Sequence, residues 1–528
     1  MSRHIQSGNS FPERMEKHAD KNWYDLSFNH KTTLTMGNLI PLATKEAYPG
    51  EQWRLSSEIM MRFAALYLPI MHQCYFTLDW YFVTNDQLWP KGFYVDFPDG
   101  WQNFIKQDPM QAGASWPYFD YQRADAVSTN GILNYMGFNA PPGAGTLIAE
   151  TQVSALPPAA YAKIWDEYYR NDQIQTPIWA ELHGGDNTAI INAMLPGLEV
   201  LRRNWPRDYY TSATPTPQQG ENVLIPSFAT DPVTGEYIPQ PILNLDGTVP
   251  TTGGLSISLT GELQKSTLNV PVVLQLSSTI RDFRYAAQMT EFLERSLRAG
   301  DRYNDFVERN FGYSPNPLYI DRPVWIGGYT GNVVISEVLA TAETGAFTVG
   351  QYAGQALARD NSPVFTYTTP DYGFIIAMLT VYPKASYYSG LENMWRRTTK
   401  MDYMWEQFAL IGDQPIRNKE VWFSWYDADI EWNDEIFGYL PQYTQFKYSN
   451  DIVSGQMRTL WQSFHLGRKF IAAADVVLNS EFITCTPDVQ RVFITDAEAG
   501  EHECYIHAYN NIQVNRRLPR NGLPQLGL

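Results

Sequence analysis

From Cys74 to Val83 apolar and polar positions alternate strictly, with Cys74, Phe76, Leu78, Trp80 and Phe82 on one face and Tyr75, Thr77, Asp79 and Tyr81 on the other. That period of two predicts a β-strand with one buried side. The TTLTM run from Thr32 to Met36 alternates as well and ends in the turn-forming pair Gly37-Asn38, so a first strand is expected after a polar N-terminal arm covering residues 1–30. Phe374 to Tyr382 is apolar at nearly every position but is far shorter than the roughly 20 residues a membrane helix needs, which suits a strand buried on both faces. Val489–Thr495 and Cys504–Asn510 also read as strands.

Helical spacing is confined to three places. Behind Pro157-Pro158, the residues Tyr161, Ile164, Trp165 and Tyr168 share one face of a helix of about three turns. A longer helix is expected over Arg281–Arg298, with Ile280, Phe283, Ala287 and Leu297 among its apolar positions and Gly300 placed to stop it. A shorter one runs from Tyr303 to Phe311 and ends at Gly312. Between these elements lie long stretches rich in Gly, Pro, Asn and Thr. Residues 84–150 read as ordered loops interrupted by short helices, and residues 205–275 as a variable insertion with β-type pieces such as Leu255–Leu259. Residues 327–372 read as a further long loop, and residues 511–528 as a C-terminal tail. No motif repeats at a fixed period, which disfavours solenoids and propellers. Strands separated by decorated loops, with few helices, favour a single mainly β sandwich or jelly roll over a parallel βαβ sheet.

Composition sharpens this picture. Of 528 residues, 44% are hydrophobic, enough for a substantial core, and only 18% charged, less than a typical soluble surface carries, so part of the surface is expected to meet other protein. A net charge of −17 excludes a generally cationic surface, and any contact with nucleic acid must be local. Cys74, Cys485 and Cys504 are too few for a disulfide framework and point to a reducing compartment. The N-terminal residues lack the apolar core of a secretory signal, and neither membrane insertion nor a cofactor is expected.

Catalytic signatures are sparse. No phosphate loop, dinucleotide fingerprint or nucleophile elbow occurs. In the His502-Glu-Cys504-Tyr-Ile-His507 cluster, strand geometry sends His507 away from the other two, so it reads as ordinary strand and not as a zinc site. Asp427, Asp429 and Glu431 form an acidic run that could coordinate calcium, but its spacing is not that of an EF-hand, and a solvated or subunit-facing loop is the preferred reading. Both termini are basic. Arg3, Arg516 and Arg517 are the candidates for contacts with phosphate groups. The 16 Trp and 33 Tyr keep open an alternative, an all-β carbohydrate-binding protein or glycoside hydrolase.

Longer strings carry a resemblance. Tyr24-Asp-Leu-Ser27, KTTLTMGNLIP (31–41), LPIMH (68–72), ALPPAAYAKIWDEYYRND (155–172) and RDYYTSATPTPQQG (207–220) lie in order along the chain. LERSLRAGDRYNDFVERNFG (293–312), RPVWIGG (322–328), Met394-Trp-Arg-Arg397, Phe437-Gly-Tyr439 and Gly455-Gln-Met-Arg458 follow. Together they resemble the major capsid proteins of microviruses, small bacteriophages with circular single-stranded DNA, and in particular the gokushovirus-like branch. The loop after Leu88-Trp89 and residues 221–275 depart from that pattern.

The resemblance implies an eight-stranded antiparallel jelly roll of viral capsid type with long inter-strand insertions. It implies a structural, non-enzymatic chain that associates through pentamers into a T=1 icosahedral shell of 60 copies around the genomic DNA. The partners it implies are a small basic DNA-binding protein, a scaffolding protein, a pilot or minor capsid protein and a host cell-surface receptor met by the outer loops. Assembly would take place in the host cytoplasm and the mature chain would reside in the virion.

Overall fold

A computed structural model describes residues 21–68, 70–90, 99–107, 115–121, 130–138, 151–220, 228–230, 237–239, 255–257, 263–265, 280–300, 302–333, 357–426, 430–495 and 500–520. Its framework is two antiparallel sheets. Strands β1 (Asn22–Asp25), β2 (Phe28–Leu34), β3 (Leu39–Ala47), β4 (Gln52–Phe63) and β5 (Cys74–Thr84) come first. After a long insertion follow β6 (Val324–Val333), β7 (Leu357–Asn361), β8 (Phe365–Thr368), β9 (Gly373–Pro383) and, after a second insertion, β10 (Cys504–Arg516). In the first sheet β10 lies between β4 on one side and both β1 and β2 on the other, while β7 and β8 share the far edge of β4. The second sheet has the order β6–β5–β9–β3. Neighbouring strands in a sheet are therefore mostly distant in sequence, and the chain crosses repeatedly between the two.

The alternation expected from Cys74 to Val83 is present, with all five predicted apolar positions buried. The opposite face of β5 is partly covered: Tyr75, Thr77 and Asp79 are half-buried and Tyr81 is buried. Helix α1 (Leu156–Tyr168) lies against it, placing the Tyr168 ring 4.8 Å from that of Tyr81. Tyr161 of α1 is wholly buried; its hydroxyl donates to the carbonyl of Leu39 in β3 at 2.8 Å and accepts from the amide of Leu201 at 2.7 Å. Two hydrogen bonds at one buried hydroxyl leave none of its capacity stranded in the core and lock the insertion onto the sheet. Consequently β9, in the middle of the second sheet, is buried at every position, as its nearly continuous apolar run predicts, and even Thr380 within it is enclosed.

The predicted helices form close to their expected limits: α2 spans Ile280–Ala299 and α3 spans Tyr303–Phe311. Gly312 closes α3 in the left-handed conformation that glycine adopts without steric cost, at φ 66°. No described helix is long and apolar enough to cross a membrane.

Three expectations change. Val489–Thr495 is not a strand but a turn in which the amides of Val492 and Phe493 both bond the carbonyl of Val489. The buried Val489, Val492 and Phe493 sit at the i, i+3, i+4 spacing of a single helical turn, too short to outweigh β propensity in the sequence. The 327–372 segment is no continuous loop, because Gly327–Val333 belong to β6, and β7 and β8 lie further along. Its glycines mislead: a Cβ on Gly327 would sit 2.3 Å from the Phe365 ring and one on Gly331 2.3 Å from the Phe76 ring, so glycine here makes room for aromatic side chains. Finally, paired strand begins at Asn22, inside the expected arm, and runs to Arg516, inside the expected tail.

Candidate assembly surfaces

The insertion between β9 and β10 contains little regular structure beyond a hairpin, Asp413–Arg417 with Ile436–Pro441, and a series of short turns. It shares a small core with the insertion between β5 and β6, in which Tyr209 and Tyr210 of that insertion cluster with Tyr387, Phe437, Phe470 and Phe482. Glu420 organises that core. Its carboxylate pairs with Arg396 at 2.7 Å and accepts from the Tyr209 hydroxyl at 3.2 Å, and its carbonyl accepts from the Tyr210 hydroxyl at 2.8 Å. Burial, followed by the charge of Glu420, holds the Tyr209 hydroxyl well above the usual tyrosine range. Gly390 permits the close approach, since a Cβ there would stand 1.8 Å from the Glu420 carbonyl oxygen. Arg468 closes the other side with its guanidinium 4.1 Å from the Phe482 ring, donating to the Tyr387 hydroxyl and the Phe482 carbonyl.

This polar-pinned core carries an unusual surface. Across residues 394–471 large apolar side chains stand out from the chain: Leu410 is 97% exposed, Ile452 84% and Trp425 83%, with Trp395, Leu460 and Ile471 similar. Isolated exposed apolar residues are normal, but this density in one insertion is the mark of a surface meant to be covered. Covering any one of these side chains fully stabilises an association by about 1.5–3 kcal/mol. The low charge and high aromatic content of the sequence anticipated such a surface without locating it, because residues held in irregular turns leave no periodic signature.

The arginine-lined cleft between α1, α2 and α3, about 780 Å³ in volume, is different. Arg302 and Arg322 share Glu167 and Asp305 at 3.6–4.0 Å, and Arg298 pairs with Asp413. These pairs neutralise Arg298, Arg302 and Arg322 within the chain, and the Arg298–Asp413 pair ties the two insertions together, while Arg203, Arg207 and Arg309 line the same cleft without an ion pair to a described residue. Glu167 and Asp305 are pushed up by burial against the pull of those arginines.

Of the residues singled out in the sequence, Arg3, Asp427 and Asp429 lie outside the described residues. Glu431 is exposed on the short helix Ile430–Asp434, whose Asp434 is held below the usual carboxylate range by a hydrogen bond from Lys419. Among the described residues no group of three or more His, Cys, Asp or Glu is arranged to hold a metal. Arg516 and Arg517 are brought to the end of β10 but differ in environment. Arg516 pairs with the buried Glu51 at 2.8 Å and lies over the rings of Tyr48 and Trp53, whereas Arg517 is exposed. Cys504 points into the core and His507 out of it. All three thiols are free and buried, and burial pushes those of Cys74 and Cys485 up to about 12, which leaves them unreactive.

Residues 14–526 match the family model described as capsid protein (F protein). Capsid protein VP1 of Chlamydia phage 1 is 27% identical over 98% of both chains, and capsid protein VP1 of Bdellovibrio phage phiMH2K is 27% identical over 93% of this chain and 91% of that one. Capsid protein VP1 of Spiroplasma virus 4 is 23% identical over 81% of each. All three are microvirus proteins. The relatives are structural, which sets aside the glycoside hydrolase alternative. With nearly its whole length matched, a rigid β framework and a large apolar surface awaiting a neighbour, the chain belongs to the capsid protein (F protein) family of microviruses: a structural, self-assembling component of the virion and not an enzyme.

Proposed function

We propose that the chain is the shell-forming subunit of a small T=1 icosahedral particle enclosing circular single-stranded DNA, and that its framework is an eight-stranded jelly roll. The observation that carries the fold is the strand order. With β1 and β2 sharing one position and β7 and β8 another, each sheet has four positions, and the chain visits them in the alternating order of paired Greek keys. Such a wedge keeps its core while its loops vary, which is what a shell subunit requires. The apolar surface of residues 394–471 supports the second half of the proposal, since closed symmetry buries several different patches of each copy against neighbours.

In this reading assembly proceeds through pentamers in the host cytoplasm, assisted by scaffolding, pilot and small basic DNA-binding proteins. The start of the 205–275 insertion is core, with Trp205, Tyr209 and Tyr210 buried, and most of residues 221–275 lie outside the described residues; the resemblance assigns contact with the host receptor to that later part. Arg3 and Arg517 contribute to neutralising the genome, and Arg516 serves chiefly to cap the first sheet through Glu51.

Electron microscopy and sedimentation of particles from producing cells test the architecture. Uniform small icosahedral shells with this chain as the main protein are expected, and monomers alone in the presence of the accompanying phage proteins would overturn it. Leu410→Asp combined with Trp425→Asp should leave the unfolding midpoint of the subunit unchanged and stop shells from closing. Normal shells from that variant would remove this surface from the interface.

A further inference from the structure

The outward face of the first sheet differs in character from the apolar surface of residues 394–471. Strand pairing puts Tyr505 beside Arg62 and Thr33, His507 beside Met60 and Lys31, Tyr509 beside Glu58 and Asn29, and Gln513 beside Arg54. Arg359 pairs with Met60 and shares the same side. On this face Lys31, Arg54, Arg62 and Arg359 stand against Asp25 and Glu58, four cations to two anions, in a chain whose total charge is −17. Branched aliphatic side chains, abundant on the 394–471 surface, give way here to amides and aromatic rings.

At one end of the face lies a groove of about 970 Å³ between the sheet and the short helix Ile132–Tyr135. Lys31, Arg62, Tyr505, His507, Tyr135 and Asn29 are among the residues lining it, and no described lining residue is acidic. The side chains of Lys31 and Arg62 make no hydrogen bond or ion pair with any described residue, in contrast to Arg298, Arg302 and Arg322 of the cleft near α1. Tyr505 is 47% exposed beside them. The Tyr135 ring is fixed by its hydroxyl, which donates to the Thr33 carbonyl at 2.9 Å.

Unpaired cations are costly to crowd together unless an anion joins them, and π faces beside them suit flat partners. We infer that this groove binds single-stranded DNA, with Lys31 and Arg62 on consecutive phosphates and Tyr505 and His507 offering stacking faces to bases. The chemistry is that of sequence-tolerant single-strand binding, a basic track interleaved with aromatic platforms. An apolar protein partner would find few anchors here. The inference rests on the reading of the chain as the shell around a DNA genome and assigns that contact to a surface distinct from the termini.

Fluorescence anisotropy of the full chain with labelled oligothymidylate tests it, using Lys31→Gln/Arg62→Gln and, separately, Tyr505→Ala. Each phosphate neutralised on a single strand contributes about 0.7 to the slope of log affinity against log salt, so the double variant should lower that slope by about 1.4 and weaken binding roughly tenfold at low salt. Tyr505→Ala should weaken binding by about fivefold or more while leaving the slope unchanged. An unaltered slope in the double variant overturns the assignment. So does equal binding of polyglutamate, which would mark an acidic protein as the occupant. Ultraviolet cross-linking of unmodified particles provides a check that needs no variant: nucleotide adducts on Tyr505 or His507 support the groove, and adducts confined to other peptides refute it. Electron microscopy of the same preparations separates the two levels. Shells whose DNA contacts lie elsewhere sink only the groove, whereas absence of shells sinks the architecture and the groove with it.

Discussion

The two sheets share one core but are finished differently. In the second sheet β9 is buried at all positions and the polar face of β5 is half-buried or, at Tyr81, buried against α1, because the long insertion that follows β5 folds back over it. In the first sheet β4 and β10 alternate, with Trp53, Leu55, Ile59 and Met61 inside and Gln52, Arg54, Glu58 and Arg62 outside. Sheets buried on both faces tolerate almost no polarity, whereas half-exposed sheets leave one set of alternate positions free for other purposes. Among the described residues the chain therefore concentrates its decoration on one sheet and leaves most of the outer face of the other uncovered.

The largest effect that separates the sheets is expected at Trp80, wholly buried in β5. Trp80→Ala should cost about 3–5 kcal/mol, a large share of a domain's stability, and abolish soluble subunit. Recovery of folded, assembly-competent chain from that variant would show that the second sheet is not the main source of stability. A smaller loss, about 1–3 kcal/mol by denaturant unfolding, is expected for Gly331→Val, which forces a side chain into the space of the Phe76 ring. A neutral result there would mean that β6 can shift away from β5.

These positions also show how far the sequence was legible. Strict alternation from Cys74 to Val83 and the apolar run in β9 identified the middle of the second sheet, since burial imposes a pattern that hydrophobicity reports directly. Gly312 and Gly300 marked helix ends through the same local chemistry that the structure uses. Gly327 and Gly331 misled, because a glycine that yields space to an aromatic ring on another strand is locally indistinguishable from a loop glycine. The family strings and the basic ends were equally visible, yet Lys31 and Arg62 were not grouped. They are distant in sequence and meet only because β10 lies between β2 and β4. The role of Glu420 in its core was not legible for a similar reason, as its partners Tyr209 and Arg396 come from different insertions.

Acid should affect the end of the first sheet in a direction that can be worked out. His502, just before β10, is buried; burial lowers its tendency to protonate below the ordinary value of 6.5, while a hydrogen bond with the Thr33 backbone opposes the shift. A histidine whose folded state favours the neutral ring contributes its stability above about pH 6.5 and loses it as the pH falls through the lower folded value. His72 and His465 are shifted the same way, also chiefly by burial. Glu503 has the opposite sign: burial raises it, so its contribution is complete below 4.5 and declines as the pH rises. The unfolding temperature of the wild type should therefore drop between pH 7.5 and 5.5, and that of His502→Gln should drop less. Equal drops would assign the acid sensitivity to the other histidines.

The smallest effect is the most informative about the contrast between the sheets. Tyr509 lies on the open face of β10, 37% exposed and opposite Glu58 and Asn29. If this face contributes little to folding, Tyr509→Ala should change stability by no more than about 0.5 kcal/mol, the range of an ordinary surface substitution. Denaturant midpoints at equal slope would measure it. A loss several times larger would mean that the aromatic residues of this face brace the sheet, and that its cleared appearance reflects packing and not a surface reserved for what the shell encloses. A negligible loss in the isolated chain, paired with altered DNA retention in particles, would instead place Tyr509 beside Tyr505 in a single contact surface that folding does not need.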